Sequence, residues 1–103
     1  SSLVLAAGHS GGASSAPYLA TNEGTFTHFA ILHGGLFAGA LGGNQALAWL
    51  STGEDDGARP PAELQGYADE LEGLGYDVTF EVFPGGHNVS AAEKTALLDW
   101  WGL

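Results

Sequence analysis

Residues 3–12 read LVLAAGHSGG. Leu3 to Ala7 is a short continuous apolar run, the pattern of a strand buried on both faces. Gly8-His9-Ser10-Gly11-Gly12 ends it, and Ala13 to Ala20 is rich in small helix formers. Pro17 inside that stretch is expected to kink or shorten the helix. The pentapeptide fits G-x-S-x-G. A nucleophile on a sharp strand-to-helix turn has crowded neighbours, and glycines two before and two after it relieve the crowding. Such a serine sits at a helix N-terminus, where free N–H groups can hold an oxyanion, with the Gly11 N–H as the expected first donor. A bare pentapeptide is equally an ordinary glycine-rich turn; the strand before it and the helix after it favour the nucleophile.

Further along, Phe26 to Leu32 is a second strand-like run, ending in His33-Gly34-Gly35. Leu36 to Asn44 reads as a glycine-rich loop, and Gln45 to Ser51 as a third strand, ending at Gly53-Glu54-Asp55-Asp56. Pro60-Pro61 suits a helix entry. Leu64, Ala68, Leu71 and Leu74 recur at helical spacing, with Gly75 as C-cap. Val78 to Phe83 alternates with period two, as in a strand near a sheet edge, and Pro84-Gly85-Gly86-His87 breaks it. Ser90-Ala91-Ala92-Glu93 reads as a capping box, and Ala96, Leu97, Trp100 and Trp101 stripe a last helix. The order β-α-β-loop-β-α-β-α predicts an α/β fold, a three-layer α/β/α arrangement on a short parallel sheet of about four strands.

Composition limits the function. The chain has 103 residues, enough for a single domain spanning 1–103. It carries two cationic residues against twelve acidic ones, a net charge of -10. Two cations neutralise few phosphates, which argues against nucleic acid and anionic membrane surfaces as partners. No apolar run approaches a membrane helix, and no charged start precedes an apolar stretch. Cysteine is absent, so disulfides and thiolate metal sites are excluded, while the compartment stays open. Methionine is absent too, which suggests a processed or truncated chain.

A nucleophilic serine needs a base, and four histidines are available. His87 lies past the last strand in a glycine-rich loop. His9 adjoins Ser10, but neighbouring side chains at a tight turn diverge. His28 lies within a strand and reads as a packed or surface residue. His33, at the end of the second strand, shares the sheet edge with Ser10 and either lines the pocket or packs. The base needs an orienting carboxylate. No Asp or Glu lies between Glu23 and Glu54, so the cluster Glu54-Asp55-Asp56 supplies the candidates, at the C-terminal edge where parallel-sheet sites assemble. A solvated loop or a cation site are the other readings of that cluster.

Serine, then acid, then histidine is the α/β-hydrolase order. The chain resembles the C-terminal half of an α/β-hydrolase, similar to the esterase, dienelactone-hydrolase and polyhydroxyalkanoate-depolymerase-like branches. GHSGG at 8–12 matches the nucleophile elbow. Ser51 to Asp56 resembles the G-x-x-D acid turn, which selects Asp56 over Asp55, and Phe83-Pro84-Gly85-Gly86-His87 resembles the histidine loop. The segment 61–79 also resembles what precedes that loop. GHSGG is close to the GDSGG of chymotrypsin-like proteases as well, but there histidine and aspartate precede the serine in an all-β fold.

The resemblance implies a serine hydrolase of small-molecule esters, with Ser10, His87 and Asp56 as catalytic triad and Gly11 N–H on the oxyanion. It needs no cofactor or metal. In the family further strands precede the elbow strand, and one of their loops supplies a second oxyanion donor. His33-Gly34-Gly35 mimics that loop but follows the wrong strand, so it reads as an ordinary strand end. The run Leu3–Ala7 becomes a bare edge, expected to pair with an N-terminal companion segment or a second copy. The alternative is a non-catalytic half-domain that works only when paired. Geometry separates the two: a triad in hydrogen-bond reach favours the enzyme, a scattered one the inert fragment.

Overall fold

The computed structural model describes residues 3–10, 13–36 and 41–102. Four strands and three helices follow in the order β1 (Leu5–His9), α1 (Ser15–Asn22), β2 (His28–Leu32), β3 (Leu47–Gly53), α2 (Pro61–Gly73), β4 (Val78–Phe83) and α3 (Ala91–Trp101). All pairings are parallel and the sheet order is β1-β2-β3-β4. This is the expected α/β fold. Three strands start two residues later than their apolar runs, so β1 carries Gly8 and His9 to its end and β3 reaches Gly53.

The sheet is covered on both faces. Phe29, Ile31, Ala48 and Leu50 point to one side, where they pack with Ala13, Ala16 and Ala20 around α1 and with Leu64, Ala68 and Leu71 of α2. Alternate residues Ala30, Leu32 and Trp49 point to the other side, against Leu97, Ala96 and Trp100 of α3. Side chains of a strand alternate between faces, so β2, apolar after His28 and buried along its length, must be an inner strand.

Pro17 neither kinks nor ends α1. It lies in the first turn, after the cap residue Ser14, where its missing N–H is one of the donors that a helix start leaves unpaired. The helix α2 closes as its sequence predicts: Gly75 N–H bonds Glu72 O at 3.0 Å and Tyr76 N–H bonds Leu71 O at 3.1 Å. The capping box of α3 is half made. Ser90 Oγ accepts the Glu93 N–H at 3.2 Å, but the Glu93 side chain turns inward.

Two glycines set how closely the loops approach at the C-terminal end of the sheet. A Cβ on Gly34 would lie 2.1 Å from Ala13 Cβ and 2.8 Å from Ser10 O. A Cβ on Gly53 would lie 2.3 Å from both Gly85 O and Gly86 O. Both contacts are with rigid groups, so the loop after β4 must retreat from any side chain at 53. Gly53→Ala should therefore destabilise the fold by roughly 1–3 kcal/mol, the usual range for overpacking, measured by urea unfolding.

Candidate active site

Each strand delivers one polar side chain beyond its C-terminal end. Ser10 follows β1, His33 follows β2, Asp56 lies in the loop after β3, and His87 in the loop after β4. Ser10 has φ +57, and the turn is closed by Ala13 N–H on Ser10 O at 3.1 Å. A left-handed serine is uncommon, and strain of this kind gathers at functional positions. Gly11 and its expected oxyanion contact lie outside the described residues.

His87 and Asp56 join Ser10 in one hydrogen-bonded chain. His87 Nε2 lies 2.7 Å from Ser10 Oγ, and His87 Nδ1 lies 2.8 Å from Asp56 Oδ2. Asp56 is buried, at 2% exposure, and its carboxylate is saturated. Oδ2 accepts from His87 Nδ1 at 2.8 Å, from His33 Nδ1 at 2.9 Å and from Thr52 Oγ1 at 3.1 Å. Thr52 also lies 2.7 Å from Arg59 O, and its single proton serves one of the two at a time. Oδ1 accepts the N–H groups of Ala58 and Arg59 at 3.0 and 2.9 Å. Burial alone would raise the Asp56 pKa. The hydrogen bonds from His87, the Arg59 backbone, His33 and Thr52 outweigh it and hold the carboxyl well below the usual carboxylate range. Asp56 is thus an ionised acceptor. His87 must carry its proton on Nδ1, which leaves Nε2 free to accept the Ser10 hydroxyl proton.

Sequence and structure differ most at His33. The sequence suggests an ordinary strand end, yet His33 is fully buried, has φ +53, and bonds Asp56 with Nδ1 and Glu93 Oε1 with Nε2, at 2.9 and 2.8 Å. Glu93, 1% exposed, also accepts from Ser51 Oγ at 2.6 Å. Neither residue had a decisive signal in sequence. His33 shares the strand-end position of the other site residues, while the S-x-x-E spacing gives Glu93 a local role. His9 is exposed, and its Nε2 bonds the His87 carbonyl at 2.8 Å, tying the two loops together. His28 packs edge-on against Trp100 at 4.9 Å between ring centroids.

Glu54 and Asp55 are exposed and stand apart from this network. Among the described residues the cluster that could hold a metal ion is instead His33, Asp56 and His87, whose ligand atoms lie within 4.8 Å of one another. An ion there would compete with the hydrogen bonds that align His87 on Ser10. No described helix is long and apolar enough to cross a membrane.

The depressed Asp56 has a pH signature. A carboxyl with a lower pKa folded than unfolded contributes stability in full above its unfolded value, near 3.8, and loses it as pH falls below. Thermal unfolding between pH 6 and pH 2 should show a falling melting temperature below about pH 4. The slope there should be shallower in Asp56→Asn, which has no proton to take up.

No protein-family model matches the sequence, and no curated protein does. Solved structures do match. The esterase PE8 aligns over 93% of this chain and 47% of its own, with TM-score 0.81 and 18% identity. A phospholipase/carboxylesterase from Dyadobacter fermentans aligns over 94% and 51%, with TM-score 0.76 and 26% identity. A dienelactone hydrolase-like promiscuous phosphotriesterase from metagenomic libraries aligns over 95% and 51%, with TM-score 0.75 and 21% identity. The chain spans about half the length of these structures. Its parallel sheet and its helices on both faces are those of an α/β-hydrolase-like fold.

Proposed function

We propose that the chain carries the catalytic residues of a serine hydrolase acting on carboxylic esters. The observation that carries this is the continuous chain from Ser10 Oγ through His87 to Asp56, at 2.7 and 2.8 Å. An esterase and a phospholipase/carboxylesterase among the structural neighbours support it.

The chemistry follows from the tautomer that Asp56 imposes. Ser10 Oγ attacks the ester carbonyl as its proton passes to His87 Nε2. The imidazolium formed is balanced by Asp56, which stays ionised. The tetrahedral oxyanion is held by backbone N–H groups, with Gly11 as the first donor. His87 returns the proton to the leaving alcohol and an acyl-serine remains. A water then loses a proton to the same nitrogen, attacks the acyl carbon, and releases the acid with Ser10 restored.

We place this activity in a protein longer than the chain itself, because the neighbours are about twice its length. The strand β1 is at one edge of the described sheet, with Leu3 half exposed beside it. We propose that this edge pairs with a companion segment, which completes the pocket wall and adds a second oxyanion donor. Sedimentation of the 103-residue chain by itself should then show self-association, reduced by Ala7→Lys on the exposed face of β1. A folded, monodisperse monomer contradicts the pairing.

A fluorophosphonate probe tests the activity itself. The folded protein should be labelled on Ser10, Ser10→Ala should not be labelled, and His87→Ala should lower ester kcat on the order of 10⁴–10⁶-fold. Equal labelling of wild type and Ser10→Ala would overturn the assignment.

A further inference from the structure

The hydrogen-bonded chain does not stop at Asp56. It continues through His33 to Glu93, Ser51 and Trp49. The direction of each bond can be worked out from the two ends. Trp49 Nε1 can only donate, and it lies 2.9 Å from Ser51 Oγ. Ser51 therefore accepts from Trp49 and gives its own proton to Glu93 Oε2 at 2.6 Å. At the other end Asp56 is an ionised acceptor, so His33 Nδ1 carries a hydrogen. That leaves His33 Nε2 facing Glu93 Oε1 at 2.8 Å. Two lone pairs at that distance repel, so one proton lies between them. With the proton on nitrogen the pair is imidazolium and carboxylate; with the proton on oxygen it is imidazole and carboxylic acid. Both forms hold the same number of protons. In both, the pair is neutral and the negative charge of the three groups rests on Asp56.

A buried polar cluster of this kind is a poor stabilising device. Well-packed apolar residues of similar volume are often as stable or more so. The cluster nevertheless occupies His33, a residue at φ +53, and draws Glu93 in from the first turn of α3. What it contacts is the oxygen of Asp56 that also holds His87. The titratable groups around His33 are Asp56, Glu93, His87 at 5.7 Å between ring centroids and His9 at 5.5 Å.

We propose that His33 and Glu93 are positioning residues of the Ser10–His87–Asp56 site. The proton they share keeps His33 a donor to Asp56, and this second imidazole fixes the carboxylate orientation that points His87 Nε2 at Ser10. The catalytic meaning of the proposal rests on the hydrolase function above; its structural content does not.

Glu93→Gln and Glu93→Leu separate positioning from packing. In Glu93→Gln the amide oxygen takes the Ser51 proton and the amide N–H donates to a neutral His33. Every hydrogen bond and the net charge survive, and kcat should stay within about three-fold of wild type. Glu93→Leu leaves His33 Nε2 and the Ser51 hydroxyl proton without a partner. It should lower kcat by about 10–100-fold with KM within about two-fold, the signature of a displaced base rather than lost substrate binding. His33→Asn tolerates the left-handed backbone and should lose kcat in the same way, which covers a Glu93→Leu chain that does not fold.

Proton–nitrogen spectra of the histidine rings in the full chain supply a readout independent of turnover. Wild type should show a downfield proton on the His33–Glu93 contact, absent in Glu93→Gln, while the His87 Nδ1–H signal is unchanged. That His87 signal should move in Glu93→Leu and His33→Asn. If no ester is hydrolysed and Ser10 is not labelled, the hydrolase assignment falls while these spectra still decide the positioning. A wild type without the shared proton, a His87 signal indifferent to Glu93→Leu and His33→Asn, or a Glu93→Gln as slow as Glu93→Leu overturns the proposal.

Discussion

Five hydrogen-bond donors converge on the Asp56 carboxylate, and the C-terminal end of the sheet is organised around it. A buried carboxylate without such partners would carry a desolvation penalty of several kcal/mol. The donors come from separate places in the chain. Ala58 and Arg59 fold the loop after β3 back on Oδ1 and so set the approach to α2 at Pro61. His33 and His87 bring the ends of β2 and β4 to Oδ2. One ionised group therefore shapes three loops and fixes the tautomer of His87. Losing it removes a structural hub and the orientation of that ring together.

The sheet explains why those loops differ in length. Ser10 and His33 lie one residue past their strands, whereas Asp56 and His87 lie further along longer loops. β1 and β4 are the two edges of a four-strand sheet. At about 4.8 Å between neighbours, their separation is roughly 14 Å. His87 has to return over most of that distance to meet Ser10. The Pro84-Gly85-Gly86 segment allows it, since Gly85 and Gly86 cross so close above Gly53 that no side chain fits there. The return is then clamped by His9, whose ring N–H donates to the His87 carbonyl. His9, beside Ser10, thus serves the loop that carries His87.

The fold was legible in sequence because it rests on local patterns. Phe26–Leu32 is apolar at nearly every position and becomes the inner strand, and the spacing of Leu64, Ala68 and Leu71 becomes the buried face of α2. Three strands start two residues into their apolar runs, because the apolar signal marks burial while strand pairing depends on where neighbours lie. Ser10, Asp56 and His87 were legible for another reason: each sits in a glycine-marked turn after a strand, and their order has a precedent in the resemblance. Pro17 suits its helix because α1 starts at Ser15, which puts the proline in the first turn and not in the interior. Glu93 was legible only as a cap. Its burial depends on Ser51 and His33, which are distant in sequence and reach it only once α3 has docked.

That docking links the site to the second face of the sheet. The core under α3 is small: Ala30, Leu32, Trp49 and Leu97, with Ala96 and Trp100 beside them. Leu98 on the same helix is exposed, so α3 is held by a narrow apolar stripe and, at its first turn, by Glu93. Trp49 belongs to both systems. Its ring packs against Trp100, and its Nε1–H begins the chain of donors that ends on Asp56. A shift of α3 along the sheet would be felt at Glu93 before it was felt in the apolar contacts, because hydrogen bonds of 2.6–2.9 Å tolerate less displacement than methyl packing. The face that looks like plain helix packing therefore sets the rigidity of the carboxylate on which His87 depends.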